Sequence, residues 1–302
     1  MCDYLPEGRK KRLITEKLSE AAIKKYIHER TVLEAQVIKS DSAHNLYIDL
    51  GECTGFMPRE ETVLGIKEGN IKDIAVISRV NKTVCFVIKD YKTVGKGIMP
   101  ILSRADVQKQ AKEYILNTFL PGRVIPATVT HIEPFGAFVD IGCGICSLIP
   151  IDAVSVSRIS HPSQRFFTGQ EIYAVVKEIN GDRVFLSHKE LLGTWEENAA
   201  EIDIGQTVTG IIRSAESYGT FIEIAPNLAG LADTLKDALP GQTAAVYIKN
   251  ILPEKMKIKL NVISLGKMQS SPTPLNYRIT DGSITRWDYS PAVCQRKIYS
   301  EF

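Results

Sequence analysis

Two stretches of this chain align with each other without a gap. GRVIPATVTHIEPFGAFVDI at 122–141 and GQTVTGIIRSAESYGTFIEI at 205–224 match at an offset of 83 residues. Gly122 falls on Gly205, Phe135 on Tyr218, Gly136 on Gly219, Phe138 on Phe221 and Asp140 on Glu223. A third, weaker copy lies upstream, where HNLYIDLG at 44–51 matches FGAFVDIG at 135–142 at an offset of 91. A repeat on this scale makes each copy one structural unit. The 302 residues therefore divide into three modules, not the two domains that length alone suggests.

Each module reads as β, with short runs of Val, Ile and aromatics broken by Gly, Pro, Asn and Asp. The second module predicts strands near 123–132, 136–142, 146–150, 172–179 and 182–187. Asn180-Gly181 supplies a tight hairpin turn between the last two. The third predicts strands near 206–215, 219–225, 229–232, 244–250 and 256–262. Five strands in so short a span, with the longer connection after the third, fit a small Greek-key barrel of OB type. The fold class expected is mainly β: three tandem five-stranded OB-fold barrels joined by short α-helices.

The boundaries follow. Residues 1–30 form an N-terminal helical segment, with Leu18, Ala22, Ile23, Tyr26 and Ile27 at helical spacing. Residues 31–104 are the first, divergent repeat, and 105–120 a linker helix capped by Ser103 and stopped by Pro121-Gly122. The second repeat spans 121–187. A second linker helix at 188–204 starts from a capping box at Ser187–Glu190. The third repeat spans 205–263, and a tail at 264–302 carries a hairpin signal, RITDGSIT at 278–285.

Charge excludes a simple polyanion-binding surface. The whole chain carries a net +2, so any contact with phosphate must come from local patches. No run approaches the ~20 apolar residues of a membrane span, and no contact with a membrane is expected. The first thirty residues lack the apolar core of a signal peptide. Six irregularly spaced cysteines fit a reducing, cytoplasmic setting better than a disulfide scaffold.

The aromatics of the second strand are the most informative residues. Side chains alternate faces along a strand. With Val139 and Ile141 inside, Phe138 and Asp140 face out; Ile222 and Ile224 place Phe221 and Glu223 out; Ile48 and Leu50 place Tyr47 and Asp49 out. Phe135 and Tyr218 precede a glycine that frees the backbone to bring a second ring beside the first. Neighbouring exposed rings make a surface for unstacked bases, worth roughly 1–3 kcal/mol per base and tolerant of sequence.

These residues resemble the RNA-binding repeat of bacterial small-subunit ribosomal protein S-one. The similarity rests on G-x-V…F-G-A-F-V-D-I-G and the later N-G-D-R-V-F-L-S, and covers about residues 31–263. The tail, S-I-T-R-W-D-Y-S-P, is similar to the ends of short Gram-positive members. The resemblance implies that Phe135 and Phe138, then Tyr218 and Phe221, are platform residues, with His44 and Tyr47 a poorer pair in the first module. It implies Arg183 and Lys257 as basic residues at the start of the last strand, and Asn180 as the polar turn residue beside them. A histidine usual at the end of the third strand is replaced by Pro58, Pro150 and Asp233, which weakens each module. Arg158, His161 and Arg165 cluster in the second module's loop, beside its platform, as phosphate contacts. Lys72, Arg79, Lys82, Lys89, Lys92 and Lys96 make a basic stretch in the first module, and R-K-K-R at 9–12 a basic terminus.

Catalytic and metal chemistry find little support. Cys143 and Cys146 form one C-x-x-C pair without the further ligands that zinc needs. No H-E-x-x-H, G-x-S-x-G or phosphate loop is present. Neither enzyme activity, cofactor nor metal is expected. The function implied is single-stranded RNA binding in translation, with mRNA held near the small ribosomal subunit by a monomer whose tethered weak sites reinforce one another. An RNA-binding role off the ribosome, in decay or folding, and a protein-interaction scaffold are the alternatives.

Overall fold

The structure is a computed structural model that describes residues 4–9, 18–95, 97–235 and 237–302. Among these the chain is mainly β. The first module comprises β1 (Leu33–Ser40), β2 (Leu46–Asp49), β3 (Thr54–Met57), β4 (Thr83–Val94) and β5 (Gly97–Ser103). The second comprises β6 (Val124–Glu133), β7 (Gly136–Asp140), β8 (Cys146–Pro150), β9 (Glu171–Asn180) and β10 (Arg183–Ser187). The third comprises β11 (Thr207–Glu216), β12 (Gly219–Ala225), β13 (Leu228–Ala232), β14 (Gln242–Leu252) and β15 (Lys257–Met268). The second and third modules are closed five-stranded barrels, ordered β10-β8-β7-β6-β9 and β11-β12-β13-β15-β14. The first has the same order, β1-β2-β3-β5-β4, with β1 held to β4 through Leu33–Gln36 alone.

In every module the third and fifth strands pair in parallel, at Phe56–Ile101, Leu148–Phe185 and Leu231–Lys259. The alternating apolar residues fill the interiors: Val37, Leu46, Ile48 and Leu102 in the first, Val129, Val139, Ile149 and Leu186 in the second, and Ile212, Ile222, Val246 and Leu260 in the third. The compact units do not follow the repeats. One holds residues 1–119 and 140–146, the other 120–139 and 147–302.

Helices occupy Glu20–Glu29, where the Ser19 hydroxyl accepts from the Ala22 amide, and Ala105–Thr118. Ser103 Oγ accepts from the Asp106 amide at 3.0 Å, so Ser103 caps the latter. No helix among the described residues is long and apolar enough to cross a membrane. Residues 10–12 of the basic R-K-K-R run, and Lys96, lie outside the described residues.

Three local expectations are corrected. The segment 188–204 is a 3-10 turn at Lys189–Leu192 followed by a helix at Trp195–Ala199. Gly193, at φ 84°, separates them, and the capping box is Thr194 with Glu197. Ser187 does bond Glu190, at 2.5 Å, but caps no long helix. The turn of the second module's last hairpin is Gly181-Asp182, because Asn180 still pairs with Arg183. The tail hairpin falls later than 278–285: Arg286–Asp288 pairs with Tyr299–Glu301. The DG turn is used against β6 instead, where the Val124 amide donates to Gly282 O at 3.0 Å and the Ile284 amide to Gly122 O at 2.9 Å. A Cβ on Gly122 would lie 2.0 Å from Ile284 O, so glycine is required for this crossing.

The tail also seals a buried histidine. His188 is fully buried. Its Nδ1 donates to Val154 O at 2.9 Å, which leaves Nε2 to accept from the Tyr277 hydroxyl at 3.0 Å. Burial pushes its pKa down to about 4, against the Val154 bond and aided by the Arg165 charge. The unfolded chain takes up this proton near pH 6.5 and the folded chain does not. Stability is therefore lost as pH falls from about 6.5 to 4, by at most about 3 kcal/mol. Asp140 has the opposite sign: burial first, then the Glu7 charge, raise its pKa to about 7, so its contribution is full at low pH and is lost as pH rises toward 7. Denaturant melts of wild type and His188→Gln at pH 7 and pH 4.5 isolate the histidine. The variant should lose clearly less stability on acidification than wild type, and parallel losses would contradict the assignment.

Candidate nucleic-acid interface

The two strongest copies of the repeat place their rings alike. Phe135 and Phe138 have centroids 5.9 Å apart at 89°, and Tyr218 and Phe221 lie 6.0 Å apart at 83°. Phe135 is 55% exposed and Tyr218 70%, while Phe138 and Phe221 are half-buried. The glycine between the rings has a different purpose from the expected one. A Cβ on Gly136 would lie 2.5 Å from Ile149 O, and one on Gly219 2.8 Å from Ala232 O. Glycine thus lets the third strand's backbone approach, and the ring pair stands over that contact.

Arg183 and Lys257 are exposed at the starts of β10 and β15. One strand separates each from the ring-bearing strand, so each lies roughly 10 Å from it across the sheet. That is a phosphate-scale reach along a strand stacked on the rings. Asn180 pairs directly with Arg183 at the hairpin end and is exposed.

The outward carboxylates are not solvated, which corrects the strand-alternation expectation for two of three. Asp140 is buried and its carboxylate accepts from the amides of Glu7 at 2.7 Å, Gly142 at 2.8 Å and Gly144 at 2.9 Å. Glu223 is buried and accepts from Arg213 Nε at 2.9 Å and Nη2 at 3.0 Å, and from Arg165 Nη2. Only Asp49 is exposed, accepting from the Gly51 amide at 2.9 Å. Alternation is obeyed; what differs is that other chain segments cover the carboxylate end of the face and leave the aromatic end open.

Arg165 is accordingly removed from the phosphate contacts. It is fully buried, bonded to Glu223 and, at 3.2 Å, to the Ser155 hydroxyl. Arg158 is exposed and borders a groove with Tyr218 and Phe221 of the third module. His161 is half-buried and engaged with Ser163, its Nδ1 lying 2.7 Å from the hydroxyl.

In the first module Tyr47 pairs with Phe56 at 5.5 Å and 64°, not with His44. His44 turns to Asp73, Nδ1 lying 3.3 Å from Oδ2, and its φ of 62° places it in a turn. Lys39 Nζ sits 4.4 Å over the Tyr47 ring, a cation–π contact. Phe56 falls on Ser147 and Gly230 at the repeat offsets, so the repeat does not reveal it; Lys39 falls on Thr130 and Arg213. His131 was also missed; its ring stacks beside Phe138 at 6.3 Å and 26°, and only the β6–β7 pairing reveals it. In the basic stretch, Lys89 meets Glu61 and Asp106, and Arg79 meets Glu7.

Cys143 is buried at φ 51° and Cys146 is exposed; none of the five described cysteines is in a disulfide. Among the described residues no three His, Cys, Asp or Glu side chains gather as a metal site.

Residues 118–189 match the S1 RNA binding domain. Small ribosomal subunit protein bS1 of Staphylococcus aureus (strain COL) is 27% identical over 271 residues, covering 84% of this chain and 66% of that protein. The bS1 of Leuconostoc lactis is 26% identical over 282 residues, covering 86% and 62%. That of Rhizobium meliloti (strain 1021) is 26% identical over 245 residues, covering 75% and 41%. The chain spans less than two thirds of the length of each of these relatives. Residues 118–189 are thus similar to the S1 RNA binding domain, and most of the chain is similar to bS1 small ribosomal subunit proteins.

Proposed function

We propose that this chain binds single-stranded RNA by stacking bases on Phe135/Phe138 and Tyr218/Phe221, with Arg183, Lys257 and Arg158 engaging phosphates. The observation that carries this is the recurrence of one exposed ring pair at one offset, at 5.9 and 6.0 Å. Core packing does not require two half-solvated rings at the same place in two barrels, whereas stacking does. All three modules, 31–104, 121–187 and 205–263, are OB-type repeats, with β15 prolonging the third beyond 263. The first, where His44 is turned to Asp73, serves docking more than capture. The similarity to bS1 proteins supports a place in translation, as a cytoplasmic monomer holding mRNA near the small ribosomal subunit. Co-sedimentation with small subunits separates that role from one off the ribosome.

Titration of one RNA as single strand and as duplex, at several salt concentrations, tests the mode of binding. A duplex keeps its bases stacked and unavailable to the rings. Three phosphate contacts at roughly 0.7 each give a log–log salt slope of about 2 in magnitude. The single strand should bind more tightly, with that shallow slope. Equal affinity for the duplex, or a slope magnitude above about 6, would mean that charge drives binding.

A further inference from the structure

The groove beside Tyr218 and Phe221 has a second wall. A cavity of about 530 Å³ separates these rings from the loop segment Ser157–Ser160, which follows the second module's third strand. We propose that this groove is a nucleotide site built jointly by the second and third modules: RNA stacked on Tyr218 and Phe221 is clamped from the opposite side by Arg158 and the Ser157 and Ser160 hydroxyls. The proposal rests on the stacking function above and extends it from an open platform to a walled site.

Size is the first support. The volume lies within the ~300–1,000 Å³ of small-ligand sites. The second is that the wall is fixed. Arg165 anchors the loop's far end to the buried Glu223, the Val156 amide donates to Asn227 Oδ1 at 3.1 Å, and Ile159 is 8% exposed. A wall held at both ends reduces the ordering cost of closing on a ligand.

Charge is the third. Arg213 lines the groove and shares Glu223 with Arg165, so two guanidiniums meet one carboxylate and the triad keeps one positive charge. Arg158 adds another. Glu216, also at the groove, removes one, and the balance remains positive where a phosphate would sit. The aromatic wall, the cationic wall and the hydroxyls of Ser157, Ser160 and Ser214 match base, phosphate and ribose. Binding by the two modules is then partly one event and not two tethered ones.

The test uses the full chain and a fluorescein-labelled nonauridylate. Arg158→Ala should weaken binding about ten- to a hundredfold, the worth of one hydrogen bond to a charged group. Ser160→Trp, which fills the groove without removing charge, should weaken it at least as much. Both residues are exposed, and thermal melts check that the fold persists. In double-mutant cycles, Arg158→Ala with Tyr218→Ala should lose less than the product of the single losses. Arg158→Ala with Phe135→Ala should lose the full product. If Arg158→Ala and Ser160→Trp are silent while Phe221→Ala weakens binding, the walled groove is wrong and the open platform stands. Independent losses in both cycles also overturn the groove, making Arg158 a distant charge. If Phe221→Ala is itself silent, the stacking function fails and the groove with it.

Discussion

Glu223→Ala should lower the stability of the fold by about 3–5 kcal/mol, the cost of leaving a buried ion pair without one partner. Here the cost falls on two guanidiniums. Arg165 and Arg213 are both buried, and Glu223 bonds each of them. Burial leaves little solvent to replace the lost carboxylate, and like charges are left facing each other. The geometry also says why the effect exceeds that of surface pairs such as Lys24–Glu20, exposed on both sides, where solvent screens the charges. Replacing all three members by apolar residues of similar volume should be far milder, and in comparable triads has been neutral or stabilising by about 1–4 kcal/mol. Urea melts of wild type, Glu223→Ala and the apolar triple variant give both numbers. A loss below about 1 kcal/mol for Glu223→Ala would show that the triad is hydrated and does not fix the 157–165 loop.

Phe138→Ala and Phe221→Ala should each cost about 1–3 kcal/mol of single-strand affinity. The rings touch their exposed neighbours edge-on, so each pair offers a base one face and one flank. The two pairs lie on different barrels and share no ring contact, so the losses should add when one RNA spans both. Phe135→Ala and Tyr218→Ala remove rings that are more than half exposed, and should reduce affinity with almost no change in melting. That separation of affinity from stability distinguishes a binding ring from a packing ring.

Much of this is legible in the sequence. The 83-residue offset identified the two ring pairs, because an alternating strand with a known inside has a known outside. Most strand ends of the second and third modules fall within a few residues of those expected, since Gly, Pro and Asp punctuate each run, but β15 runs on to Met268, six residues past its expected end. What could not be read was which part of each outer face is covered. Nothing local distinguishes Asp49, left in solvent, from Asp140, covered by the segment at Glu7, or Glu223, covered by the segment carrying Arg165. These are contacts between residues 58 to 133 apart, set by packing and not by propensity. For the same reason Arg165 looked like a phosphate ligand and is a buried anchor. The tail's DG turn was visible, but not that it would be spent on β6. Tyr47's partner escaped because Phe56 sits across a strand pair and not along the repeat.

The most direct test of base stacking as the source of affinity is fluorescence anisotropy of a labelled oligouridylate long enough to span both ring pairs. Wild type is compared at one salt concentration with the Phe138→Ala/Phe221→Ala double variant, whose fold is checked by circular dichroism. Loss of both contributions, roughly 2–6 kcal/mol in total, with the β spectrum intact, is the predicted result. A folded double variant that binds the oligonucleotide as tightly as wild type would contradict it.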